Sequence, residues 1–205
     1  MTDVAGAVAT IILAAGRSTR FAGDQVGATK LIAELKGKPL VRHVAEAALA
    51  SKARPVIVVT GHARDQVQDA LAGLPVAFVH NKDYGTGLAS SLRAGIAAVP
   101  HSAPGAIVLL GDMPLVTVDL IDQLVRRFEQ SFGADAIVPV TEGRRGNPVL
   151  LARSLFPAVA RLTGDQGARR LLQDPDIQVV EVAVENEAAA ADIDTPEELE
   201  ILRKS

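Results

Sequence analysis

The chain contains no cysteine, which excludes disulfides, thiolate metal sites and cysteine-ligated iron–sulfur clusters. Trp is absent too, and the 48% of apolar residues is rich in Ala, Val and Leu, as suits a well-packed soluble core. No apolar run reaches the length of a membrane span. Met1-Thr2-Asp3-Val4 has neither the charged start nor the apolar stretch of a signal peptide, so a cytoplasmic location and no membrane partner are expected. Neither G-x-G-x-x-G nor Gly-Lys-Ser/Thr occurs, so the dinucleotide fingerprint and the Walker loop are both missing. The four histidines (His43, His62, His80, His101) show no metal-binding spacing and read as structural. A net charge of −3 argues against a nucleic-acid binder. At 205 residues, without repeats, low-complexity tracts or long linkers, the chain is expected to form one α/β domain over residues 1–205.

The charge that is present is unevenly placed. Residues 1–60 carry eight Lys/Arg against four Asp/Glu, whereas residues 61–205 carry thirteen against twenty. A positive N-terminal portion in an acidic protein fits a local anion site, though solvated surface accounts for some of it. Within that portion lies Ile11–Lys30. Thr10–Ala14 is an unbroken apolar run of strand length, as in a strand buried on both faces. It ends in Ala14-Ala15-Gly16, where little side chain keeps a ligand from the backbone, and successive N–H groups can face an anion. Arg17, Ser18, Arg20 and Lys30 follow, adding polar groups and charge for a polyphosphate. A tight turn with surface arginines is the alternative; the three cations together favour a nucleoside triphosphate.

The rest of the chain alternates. A helix is expected over Pro39–Leu49, a strand over Pro55–Thr60, a helix over Asp65–Ala72 and a strand over Val76–His80. This alternation predicts a mainly parallel sheet with helices on both faces. Asn81–Leu92 reads as a loop entering a helix, with Leu88, Leu92 and Ile96 as its apolar stripe. Gly87, Ser90 and Ser91 then fall near a helix start, either welcoming a ligand or capping the helix. Gly105–Leu110 is an apolar strand delivering Asp112 at its carboxyl end, where ligands of open parallel sheets gather. Asp119–Phe128 is a packing helix, and Ala136–Val140 another strand. Arg144 and Arg145 sit on what reads as a glycine-flanked turn, able to grip a phosphate or simply to be solvated. Thr195–Glu198 starts a helix whose early acidic residues suit the helix dipole.

Leu13-Ala14-Ala15-Gly16-Arg17-Ser18-Thr19-Arg20-Phe21 with Lys30-Leu31 resembles the signature loop of the MobA-like nucleotidyltransferases, and within them the molybdenum cofactor cytidylyltransferases. Further motifs extend the resemblance over nearly the whole chain: the Gly87–Leu92 run, Gly111-Asp112-Met113-Pro114, Arg145-Gly146-Asn147-Pro148-Val149 and Gly164–Arg169. The chain departs from the pattern at Ala22–Thr29, which looks like a small insertion separating Arg20 from Lys30.

The resemblance implies a Rossmann-like fold of the nucleotide-diphospho-sugar transferase type, with a small antiparallel addition near Ala136–Leu151. It implies a nucleotidyltransferase that moves a nucleoside monophosphate from an NTP, CTP foremost, to an acceptor phosphate, releasing pyrophosphate. The implied acceptor is molybdopterin carrying molybdenum, with a molybdoenzyme or its chaperone as a further partner. Lys30, Arg20 and Asp112 would be catalytic. Leu13, Ala14, Ala15, Gly16, Arg17, Ser18, Asn81, Gly87, Ser90 and Ser91 would bind the nucleotide, and Arg145 and Asn147 the acceptor, with Gly164–Arg169 as the pocket's far wall. Mg²⁺ would be held by Asp112 and Asp194, with Asp192 as the fallback. Three alternatives stay open: GTP or another acceptor such as a sugar phosphate or phospholactate, a small-molecule reductase, and a non-catalytic carrier of a nucleotide-form cofactor.

Overall fold

The computed structural model describes residues 6–17, 29–184, 193 and 195–204. From the N-terminus run β1 (Ala9–Ala14), a 3-10 turn (Lys30–Ile32), β2 (Glu34–Leu35), β3 (Lys38–Pro39), α1 (Leu40–Ala50), β4 (Val56–Thr60), α2 (Arg64–Ala70) and β5 (Ala77–His80). Then come α3 (Leu88–Ala97), β6 (Gly105–Leu110), α4 (Val118–Gln130), β7 (Ala136–Thr141), β8 (Arg144–Arg145) and β9 (Val149–Ala152). The short helices α5 (Phe156–Val159) and α6 (Ala168–Leu171), β10 (Val179–Ala183) and α7 (Pro196–Lys204) complete the order. No helix among the described residues is long and apolar enough to cross a membrane.

The main sheet has the order β10-β7-β9-β6-β1-β4-β5, with β8 paired to β7. β1 is parallel to both its neighbours, β4 and β6. β5 continues parallel to β4, and β10 runs parallel to β7. β9 is antiparallel to both β6 and β7. The expected antiparallel pairing near residues 136–151 is therefore present, but it lies inside the sheet rather than beside it. From β1 the chain builds outward to β4 and β5, then crosses to place β6 on the other side. The carboxyl ends of β1 and β6 thus flank a topological switch point, where open α/β sheets hold their ligands.

The apolar runs of the central strands are unbroken because both faces are covered. Ile12 and Ala14 face one core with Val58 of β4, Val41 and Val44 of α1, and Leu120, Ile121 and Leu124 of α4. Ile11 and Leu13 face the other with Val59 of β4, Leu92 and Ile96 of α3, and Phe156 and Val159 of α5. Neighbouring side chains of a strand point to opposite faces, so one strand serves two cores. α4 shows the local logic: Thr117 Oγ1 accepts from Leu120 N at 3.2 Å, Asp119 lies in the first turn and Arg127 in the last.

Two hairpins correct the sequence reading. Lys36 and Gly37 have φ of 50° and 77°, and Glu142 and Gly143 have φ of 50° and 75°. Each pair joins two antiparallel strands in two residues, the pattern of a type I′ turn. Arg144 and Arg145 are therefore on a strand, not in the turn, because the turn is made one step earlier at Glu142-Gly143.

Candidate functional site

The site is built where β1 meets β6. Gly111 N donates to Leu13 O at 3.0 Å, continuing the pairing past the end of β6. A Cβ on Gly111 would lie 3.2 Å from both Leu13 O and a Leu31 methyl, so glycine lets the two strand ends converge. Asp112 follows directly. Its Oδ2 lies 2.7 Å from Lys30 Nζ, and the two side chains are only 17% and 10% exposed. Thr29 Oγ1 accepts from Leu31 N at 3.4 Å at the head of the short turn that presents Lys30.

The second oxygen, Asp112 Oδ1, is buried and has no hydrogen-bond partner among the described residues. A buried carboxylate oxygen left unsatisfied is unusual in a folded protein, and a bound ion is one arrangement that would satisfy it. A hard anionic oxygen of this kind fits a hard divalent cation. Asp112 O also accepts from Ile193 N at 3.1 Å, and Ile193 stands between Asp192 and Asp194 in sequence. Those two aspartates lie outside the described residues. Among the described residues no group of three or more His, Asp or Glu gathers into a metal cluster.

The loop after β1 changes character within a few residues. Leu13, Ala14 and Ala15 are buried, while Gly16 and Arg17 are exposed. A Cβ added at Gly16 would meet nothing within 4 Å among the described residues, and Gly16 is not among the glycines of positive φ. Among the described residues neither packing nor backbone conformation requires glycine there, which leaves the backbone open on that side. Ser18, Arg20 and most of the Ala22–Thr29 segment lie outside the described residues.

Arg17 leans over Tyr84, its guanidinium carbon 5.6 Å from the ring centroid. The Tyr84 and His62 rings are 5.9 Å apart, and His62 N donates to Ala15 O at 3.2 Å. A Cβ on Gly61 would fall 2.7 Å from Tyr84 Cβ and 2.8 Å from Ala15 Cβ. Ala15, Gly61, His62 and Tyr84 therefore form one tight wall beside the loop. Sequence reasoning assigned His62 no part here and passed over Tyr84. The signal available was the position of Gly61-His62 at the carboxyl end of a strand.

Asn81, Ser90 and Ser91 are buried and bonded to one another, Asn81 Nδ2 donating to Ser90 Oγ at 2.8 Å and Ser91 Oγ at 3.0 Å. Ser90 Oγ donates in turn to Gly87 O and Asp83 O. The three side chains brace the loop before α3 against its first turn, and neither serine caps the helix. The start of α3 also differs from the free end expected. Ala89 N donates to Gly164 O at 3.0 Å, and Leu88 N to Asp165 Oδ1 at 3.4 Å. The Gly164-Asp165 loop caps α3 from across the molecule.

That loop leads into α6 and brings Arg169 to a cavity of about 640 Å³. Arg144, Arg145, Asn147, Gln173 and Glu181 also line it. Arg145 Nε donates to Glu181 Oε1 at 2.7 Å and its Nη1 to Leu172 O at 3.0 Å. The cavity holds three arginines against one carboxylate, and Glu181 orients one of the three. Glu181 sits on β10, a strand that sequence reasoning did not find.

Residues 10–182 match the MobA-like NTP transferase domain, and the chain belongs to that family of nucleotidyltransferases. It is 31% identical over 207 residues to the purine catabolism protein PucB of Bacillus subtilis, covering 95% of each chain. It is 32% identical over 199 residues to the nicotine blue oxidoreductase of Paenarthrobacter nicotinovorans, covering 94% of each. The bifunctional protein GlmU of Halorhodospira halophila is 32% identical over 182 residues; the chain spans 32% of GlmU's length. Among solved structures, Rv0371c of Mycobacterium tuberculosis superposes with a TM-score of 0.85 at 26% identity, covering 98% of this chain and 100% of that one. Its complex with manganese gives 0.79 at 25%, with the same coverage. The fold is of the nucleotide-diphospho-sugar transferase type.

Proposed function

We propose that the protein, acting as one domain, transfers CMP from CTP to the phosphate of a molybdopterin-bound molybdenum cofactor. The observation that carries the nucleotidyl-transfer part is the Lys30–Asp112 pair with its unsatisfied carboxylate oxygen, set at the switch point beside the open Gly16 loop. Backbone N–H groups from Ala15 onward would bind the triphosphate, with Arg17, Arg20 and Lys30 offsetting its charge. An acceptor phosphate oxygen attacks the α-phosphorus; that P–O bond forms as the bond to the bridging α–β oxygen breaks, and pyrophosphate leaves with the electron pair. No protein nucleophile is needed, so the chain's contribution is orientation and charge neutralisation. A divalent ion, Mg²⁺ in this reading, held by Asp112 with Asp194, would supply further neutralisation of the phosphates.

The three-arginine cavity supports a phosphate-bearing acceptor, Arg144 and Arg169 facing it while Arg145 is tied to Glu181. The product would pass to a molybdoenzyme or its chaperone. Incubating the protein with each triphosphate and the acceptor, scored for pyrophosphate, tests the assignment. A second reading, a small-molecule reductase, draws on the likeness to nicotine blue oxidoreductase. NAD(P)H consumption without pyrophosphate release would favour it.

A further inference from the structure

We propose that Lys30 makes Asp112 selective for a metal ion that arrives already bound to a triphosphate, by holding the carboxylate against the free ion. The inference rests on the reading of Asp112 as a metal ligand. Lys30 Nζ and Asp112 Oδ2 are in contact at 2.7 Å, with side-chain exposures of 10% and 17%. Solvent and salt screen such a pair weakly. A bare divalent cation approaching Asp112 meets an ammonium already on the carboxylate. Charges of like sign repel strongly at this depth, and driving Lys30 away separates two opposite charges where little water can replace the contact.

A metal–triphosphate complex meets neither obstacle. The phosphate oxygens lower the charge of the approaching ion and offer Lys30 another anion. Asp112 Oδ1, buried and without a hydrogen-bond partner among the described residues, is an acceptor that Lys30 leaves open to the incoming ion. The complex brings Lys30 a new anion as Asp112 turns to the ion, whereas the free ion brings none. Metal and triphosphate therefore bind with positive coupling, each weakly alone and tightly together. Coupling is reciprocal, so removing the residue that enforces it changes both affinities. Lys30 is, in this account, a specificity residue for the metal–nucleotide complex, beyond its part in neutralising phosphate.

Mn²⁺ is the probe, followed by electron paramagnetic resonance and by melting temperature, with and without a non-hydrolysable CTP analogue. In the native protein the analogue should tighten Mn²⁺ binding by about tenfold or more, within the usual range of coupling between two ligands. Lys30→Met should bind Mn²⁺ alone about tenfold more tightly than the native protein, with the coupling to the analogue largely lost. Its melting temperature should rise more on adding Mn²⁺ than the native protein's does. Lys30→Arg, which keeps the charge, should stay weak for the free ion; Lys30→Gln repeats the comparison should Lys30→Met not fold. Loss of the Mn²⁺ site in Asp112→Asn, together with unchanged or weaker free Mn²⁺ binding in Lys30→Met, overturns the proposal alone. Mn²⁺ binding that survives Asp112→Asn overturns the metal reading and the proposal with it.

Discussion

Gly87 and Gly164 meet backbone to backbone: a Cβ on Gly87 would lie 2.3 Å from Gly164 C and 2.4 Å from Gly164 O. Gly87 also has φ of 109°, a region that side chains rarely adopt. The contact seats the Gly164-Asp165 loop on the start of α3, and that loop continues into the helix carrying Arg169. Gly87→Ala should therefore lower folding stability by about 1–3 kcal/mol, read as a fall in melting temperature. An unchanged melting curve would show that the two loops do not pack this way.

Gly16→Val should behave in the opposite manner. Among the described residues nothing lies within 4 Å of a Cβ at Gly16, so the melting temperature should stay within a few degrees of native. Triphosphate affinity, measured by calorimetry, should be lost, because a branched side chain blocks approach to the backbone. Retained affinity would remove the loop from the nucleotide site.

Asp112→Asn keeps the size of the side chain but removes its charge. Turnover should fall at least a hundredfold, about 2.7 kcal/mol of barrier. Because Asp112 is paired with a buried lysine, some loss of stability should accompany it, more than an exposed carboxylate at a strand tip would give. Near-native turnover in a folded Asp112→Asn would contradict the metal assignment.

At the second cavity the three arginines should separate by environment. Arg169→Ala and Arg144→Ala should each raise the acceptor KM several-fold and leave triphosphate affinity nearly unchanged, since both line the cavity assigned to the acceptor. Glu181→Gln should act through Arg145, which it holds at 2.7 Å, and Lys in place of Arg145 should fail to restore the acceptor KM because it lacks the fork that bonds Glu181 and Leu172 O together. Equal acceptor KM across these variants would move the acceptor elsewhere.

The parts of this protein that were legible in its sequence are those where one local requirement dominates. Strands β1, β4 and β6 are buried on both faces and read as unbroken apolar runs; Gly16 and Asp112 follow from where two of those runs stop. β10 was not legible, because Val180 and Val182 pack on one core while Val179 reaches the other and Glu181 is exposed. The β2–β3 hairpin was missed because its turn places a lysine, Lys36, at φ of 50° where Asn or Asp would have announced it. The ties that organise the site, Lys30 to Asp112, Arg145 to Glu181 and Leu88 to Asp165, join residues remote in sequence. No local pattern encodes such partners.

In the proposed reaction Ala15 would bear on which base is read. It is buried, and its methyl packs where Gly61 and Tyr84 converge, so an effect on the base would act through that wall. Ala15→Gly should relax a preference for CTP over GTP without inverting it, since one methyl is worth only about 1–3 kcal/mol of discrimination. Pyrophosphate release from the two triphosphates at matched concentrations gives the ratio; an unaltered ratio would take Ala15 out of base selection.

The central claim is transfer of a nucleotide to an acceptor phosphate, and acceptor-dependent pyrophosphate release measures it most directly. With CTP, Mg²⁺ and molybdopterin-bound molybdenum cofactor, the protein should release one pyrophosphate for each CMP joined to the acceptor, and release should stop when any one of the three is withheld. No pyrophosphate from any triphosphate, with NAD(P)H consumed instead when a small-molecule oxidant is supplied, would contradict the account.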